Sequence, residues 1–164
     1  MNYRILTLVF IASVLISSIF LVYAAVLYFD TSSLTRGVRV SIQTGSVEQS
    51  NSSIVLKNVI LIENPSPLSF TVTYVQERVY DDPNFANELG QSFIARFSGD
   101  YITLVTKLSN STINFSVSLT KAPSTNNVFV IVSMRFADIP ILESYYLTRY
   151  FSVPLNASSG GGIR

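Results

Sequence analysis

The apolar positions of this chain fall into two regimes. From Ile5 to Phe29 they run without a charged residue, between Arg4 and Asp30; beyond Asp30 they alternate with polar residues at period two. The first regime predicts a transmembrane helix, since about 25 residues at ~1.5 Å per residue give roughly 37 Å, enough to cross a ~30 Å hydrocarbon core with some tilt. Ser13, Ser17 and Ser18 do not break the run, because a helical hydroxyl can return its bond to the backbone. Tyr3 at one end and Tyr23 and Tyr28 near the other suit the aromatic belts of the two interfaces. A cleaved signal peptide is the competing reading, with Val22-Tyr23-Ala24 as its small-residue site. Signal cores span about 7–15 apolar residues, and this one continues past the cut to Phe29. We therefore expect an uncleaved anchor over residues 1–29 that meets lipid through residues 5–29. Arg4 and Arg36 are the flanking cations, so the positive-inside rule leans only slightly towards an inside N-terminus and an outside C-terminal domain.

The second regime predicts strands. After a polar linker at residues 30–36, Val38, Val40 and Ile42 alternate with Arg39, Ser41 and Gln43, the signature of a strand with one wet face. Ile54 to Ile62 is a nearly continuous β-branched run, as in a central strand. Leu68, Phe70, Val72 and Tyr74 share the next face, and further strands read at Tyr101–Leu108, Thr112–Leu119, Val128–Phe136 and Tyr145–Val153. In the second of these Ile113, Phe115, Val117 and Leu119 point inward. Turn chemistry punctuates them at Thr44-Gly-Ser, Asn64-Pro-Ser-Pro, Asp81-Asp-Pro-Asn, Ser98-Gly-Asp, Ser109-Asn-Ser and Pro123-Ser-Thr-Asn-Asn. The one soluble helix expected lies around Asn84–Gly90. About seven strands at this spacing favour an all-β class: an immunoglobulin-like antiparallel β-sandwich over residues 37–155, preceded by the single N-terminal transmembrane helix. Residues 156–164, with Gly160-Gly161-Gly162, read as a flexible tail.

The stretch Val59-Ile-Leu-Ile-Glu-Asn-Pro-Ser-Pro-Leu-Ser-Phe-Thr-Val-Thr-Tyr-Val-Gln-Glu-Arg-Val-Tyr80 resembles the core of the group-two late embryogenesis abundant, or water-stress and hypersensitive response (WHy), domain. Asn64-Pro65-Ser66-Pro67, Val79-Tyr80 and Leu89-Gly90 occupy the places of that family's strand-ending Asn-Pro, its Val-Tyr pair and its following glycine. A family strand after the glycine is hard to place in Gln91–Asp100. The resemblance covers about half of the chain beyond the anchor. It implies an immunoglobulin-like sandwich without enzymatic activity, often carried on a membrane helix in archaeal and bacterial members. Proline also ends a strand by itself, because it cannot donate to a ladder, and asparagine closes turns.

Composition narrows the chemistry. The chain has 164 residues, 48% hydrophobic and 13% charged, with 11 Lys plus Arg against 10 Asp plus Glu for a net charge of +1. Near-neutrality gives no reason to expect nucleic acid, whose phosphates call for concentrated Lys and Arg. Histidine, cysteine and tryptophan are all absent, which removes the usual general base, thiol nucleophile and soft metal ligands. Ser118-Leu-Thr-Lys121 matches the Ser-x-x-Lys pattern, but that dyad needs a helix, and on a strand the two face opposite ways. Asp81, Asp82 and Glu88 are the densest acids, and their spacing departs from a calcium loop. No catalytic residue, cofactor or metal is expected.

Asn51, Asn110, Asn114 and Asn156 head Asn-x-Ser/Thr sequons, which fit a glycosylated outer face or ordinary turns in a hydroxyl-rich chain. On the last strand Tyr146 and Tyr150 share one face and Tyr145 and Phe151 the other, which makes Tyr146 and Tyr150 candidates for an interface. The expectation is a non-enzymatic binding or structural module of the cell envelope, archaeal in style, meeting an envelope or membrane protein or a second copy of itself. An archaellum stator-like or other appendage component is one alternative. An accessory subunit of a membrane enzyme is another, with Ser13, Ser17, Ala24 and Ala25 permitting close helix contact; a hydrolase is the enzyme-class alternative. The low charge and many hydroxyls hint at an acidic exterior, where carboxylates near their ~3.9–4.3 reference values stop solubilising.

Overall fold

The apolar run is helical throughout, and the helix does not stop where the run does. In the computed structural model, which describes residues 3–50, 53–97 and 99–157, α1 spans Tyr3–Gly37. It is the one helix among the described residues long and apolar enough to cross a membrane, and its most apolar window is wholly unburied. Residues 30–36, expected as a linker, are instead its last two turns. Thr31 and Leu34 are buried there, because this end packs on the strands that follow.

Among the described residues nine strands follow: β1 (Arg39–Ser50), β2 (Ser53–Asn64), β3 (Phe70–Tyr80), β4 (Glu88–Ala95), β5 (Thr103–Val105), β6 (Ser109–Leu119), β7 (Asn127–Ile139), β8 (Leu142–Pro154) and β9 (Asn156–Ala157). They form two sheets, one ordered β6-β2-β1-β9 and the other β4-β3-β7-β8 with β5 also on β3. Every pairing is antiparallel except the short β1–β9 contact, which is parallel. The run Ile54–Ile62 does lie in a central strand, β2.

Several local expectations are corrected. Thr44-Gly-Ser is no turn: β1 passes through it with a bulge between Ile42 and Thr44 and stays paired to Ser50. Ser109-Asn-Ser opens β6, and the chain turns just before it, where Leu108 adopts φ 51°. The strand expected over Tyr101–Leu108 contracts to the three residues of β5. Asn84–Gly90 is not helical, and β4 begins at Glu88, which also supplies the strand that was hard to place after Gly90. Asn156 and Ala157, assigned to the tail, pair with Ser46 and Val47; Gly160–Gly162 lie outside the described residues.

The inner faces of both sheets meet in a single apolar cluster. β2 and β6 contribute Leu56, Ile60, Ile62, Ile113, Phe115, Val117 and Leu119, while β3 and β7 contribute Phe70, Val72, Val75, Val79 and the alternating Val128–Phe136 series. Leu34 of the helix end and Val38, just beyond it, join the same cluster. The helix and the strands are thus continuous through packed side chains.

Candidate binding face

The register of the second sheet determines what its outer face presents. In β3 a bulge between Val72 and Tyr74 shifts the alternation, so Tyr74, expected on the face of Phe70 and Val72, turns outward to half-exposure. Gln76 and Arg78 follow it outward, and Val75, Glu77 and Val79 turn in. Reading across β4, β3, β7 and β8, three outward rows result: Ala95–Tyr74–Arg135–Tyr146, Phe93–Gln76–Ser133–Thr148 and Gln91–Arg78–Ile131–Tyr150. Phe93, Tyr146 and Tyr150 are 65%, 66% and 63% exposed. An exposure this large for rings on a sheet that already has a buried face marks a surface that something else can cover.

The rings are organised. Tyr74 stacks on Phe93 with centroids 6.4 Å apart, and the Arg135 guanidinium lies 5.9 Å from the Tyr146 centroid, within cation–π range. Phe85, from the β3–β4 connection, stands edge-on to Tyr80 at 5.3 Å and tilts against Tyr150 at 5.4 Å. A shallow groove of about 650 Å³ runs between Tyr74, Gln76, Arg78, Gln91 and Phe93. Its walls offer two ring faces, two amides and a guanidinium, with no carboxylate in any of the three rows. Such a surface can engage a partner by stacking and by donated hydrogen bonds. Tyr146 and Tyr150 are both on it. The other ring-bearing strands were missed, because only strand pairing brings Phe93, about fifty residues upstream, to the same face.

The inward turn of β3 has a second consequence. Glu77 is fully buried, and Asn58 of β2 faces it across the core at 2% exposure. Asn58 Nδ2 donates to Glu77 Oε1; Asn58 Oδ1 and Glu77 Oε2 find no partner. Burial away from water pushes the Glu77 carboxyl up to about 7, only partly offset by the bond from Asn58. The pair is a polar link between the two sheets.

The acids of the β3–β4 connection are occupied locally. Asp82 accepts from the backbone N–H groups of Asn84, Ala86 and Asn87, which hold its carboxyl below the ordinary aspartate range, the bond from Asn87 first. Asp81 Oδ1 accepts from the Ser124 N–H, and Glu88 stands exposed on β4. Among the described residues no group of three acids gathers to hold a metal ion. Asn110 and Asn114 project from the exposed side of β6. Asn51 lies outside the described residues, and of Asn156 only the strand position is described. Ser118 is exposed on β6, and Lys121 follows the strand end, also exposed.

Asn64, Ser66 and Gly90, among the residues that carried the family resemblance, have structural roles. Asn64 is buried at 2% exposure: Nδ2 donates to the carbonyls of Leu68 and Thr106, and Oδ1 accepts from Ser66 N–H and Oγ–H. Gly90 is needed because a Cβ there would sit 2.3 Å from the Ser118 carbonyl oxygen, where β4 of one sheet crosses β6 of the other.

No family model and no curated protein matches the chain. Among solved structures it resembles the X-ray structure of a Northeast Structural Genomics Consortium target, with a TM-score of 0.53 and 13% identity over 80% of this chain and 95% of that one. It also resembles a crystal structure from Bordetella pertussis that carries the provisional name ApaA, with a TM-score of 0.51 and 13% identity over 72% of this chain and 93% of that one. At such identities the likeness concerns the fold.

Proposed function

We propose that this chain is a single-pass, membrane-anchored module of the cell envelope, with an immunoglobulin-like sandwich of WHy type outside the membrane, that binds a partner through the outer face of its second sheet. The observation that carries the reading is the row structure of that face, where Phe93, Tyr74, Tyr146 and Tyr150 stand among Arg78, Arg135, Gln76 and Gln91. Aromatic residues and arginine are enriched at binding surfaces, whereas ordinary wet sheet faces carry small polar and flexible charged residues. The helix supports anchorage over cleavage, because it runs unbroken through Val22-Tyr23-Ala24 and its last turns are built into the core. Asn64 and Gly90, in the family positions, support the WHy assignment by having roles that fix the backbone there. A non-enzymatic role suits a face of stacking and donor groups, and the raised Glu77 carboxyl suits an acidic exterior, where it is neutral.

The test is purification of the full chain from solubilised membranes beside a Phe93→Ser, Tyr146→Ser, Tyr150→Ser variant. The reading expects a defined assembly with the natural chain, either with an envelope or membrane protein or with a second copy, and its loss in a variant that melts normally. Assembly unchanged by the triple substitution rejects this face, and turnover of a substrate by the purified chain rejects the non-enzymatic reading. Appendage subunits or membrane-enzyme subunits in the assembly would specify which kind of envelope structure it serves.

A further inference from the structure

The β7–β8 hairpin runs alongside the exit of the apolar helix, with its tip towards the apolar run. Thr31 Oγ1 donates to the Pro140 carbonyl at 2.9 Å, and the Tyr145 hydroxyl donates to the Thr35 carbonyl at 3.2 Å. Thr31 and Thr35 are one helical turn apart, about 6 Å along the axis. The hairpin residue nearer the tip meets the helix residue nearer Phe29, so the direction of the hairpin is fixed. Thr31 is two residues beyond the last apolar position, which sets the tip within about 3 Å of the end of the run along the axis.

The tip itself is unusual. Ile139 pairs with Leu142, leaving Pro140-Ile141 as a two-residue loop. Ile141 sits at φ 70°, a left-handed conformation that β-branched residues avoid and that glycine or asparagine would adopt at far lower cost. Its side chain is nonetheless 63% exposed, followed by Leu142 at 37%, so packing within the chain does not explain the isoleucine. We infer that Ile141 and Leu142 form a second, shallow membrane contact, seated in the lipid interface beside Tyr28 and Phe29 and setting how the domain stands on the bilayer. This rests on the anchor reading of α1. Asp30 and Glu143 are the first charges after the apolar positions of the two segments, and both are acids, so the fitting surface is a lipid layer without net negative charge.

The chain has no cysteine, so single cysteines can carry an environment-sensitive fluorophore without background. Full chain would be reconstituted in neutral phosphatidylcholine vesicles with the label at Ile141→Cys, Leu142→Cys, Ser152→Cys or Ile16→Cys. The expected result is blue-shifted emission with protection from aqueous iodide at 141, 142 and 16, and water-like emission with full quenching at 152. Leu142→Cys keeps the test informative if Ile141→Cys fails to fold. Water-like emission at both tip positions with a lipid signal at 16 overturns the inference and leaves the anchor standing; water-like emission at 16 overturns the anchor reading, and the inference with it.

Discussion

The outer faces of the two sheets differ in kind although both sheets close on the same core. On the first sheet β6 presents Asn110, Thr112, Asn114, Ser116 and Ser118 around a short aliphatic row on β2, and Lys57 pairs with Glu48 at 2.7 Å. Such hydroxyls and amides hydrate a face that carries little charge. The second sheet presents organised rings and guanidinium groups instead. One face is thus small and hydrated while the other carries exposed rings, and that difference is what the proposed binding face rests on.

The largest expected effect tests whether the two faces belong to one cooperative unit. Gly90→Ala forces a Cβ to within 2.3 Å of the Ser118 oxygen, and such overpacking should cost about 3 kcal/mol, read by denaturant unfolding of the detergent-solubilised chain. A comparable effect comes from pH. Because the Glu77 carboxyl is raised from 4.5 to about 7, the folded chain keeps a proton that the unfolded chain releases, so the stability contribution is full below about 4.5 and is lost as pH rises through about 7. That loss is on the order of 3 kcal/mol. Glu77→Gln should flatten it, with melts at pH 4.5 and 8 differing less than in the natural chain.

Smaller effects separate the faces. Tyr146→Ser or Tyr150→Ser should weaken partner binding by about 2 kcal/mol if these rings are central to the contact, while stability moves by no more than about 0.5 kcal/mol as for other exposed positions. Titration of the purified partner and a parallel melt read the two quantities. At the bottom of the scale, Lys57→Ala on the first sheet should cost about 0.5 kcal/mol, typical of an exposed ion pair, and the loss should shrink in high salt. It should leave binding unchanged; a binding defect equal to that of Tyr146→Ser would erase the distinction between the faces.

Sequence periodicity reached the interior further than the surface. The alternation of Ile113, Phe115, Val117 and Leu119 predicted their burial, and β6 buries all four. It failed at Tyr74, because one bulge in β3 reverses every side chain beyond it and nothing in the local pattern announces a bulge. It failed again at Asn84–Gly90, where residues 84–87 stay in the connection and Glu88–Gly90 are drawn into β4 by pairing with β3. Glu77 drew no notice for the same reason: a glutamate in a strand reads as a wet position until the register turns it inward towards Asn58.

What the sequence determined alone was whatever depends on near neighbours: the apolar run long enough to span a bilayer, the period-two strands, the prolines that end them, and a chemistry without histidine or cysteine. What the tertiary structure decided was everything that depends on distant residues sharing a surface. The helix end became part of the core, Phe93 stacked on Tyr74 and came to share a sheet face with the β8 tyrosines, and the hairpin tip came level with the end of the apolar run. The physical reason is that strand register and sheet order are set by contacts between residues far apart in the chain, which no window of sequence contains.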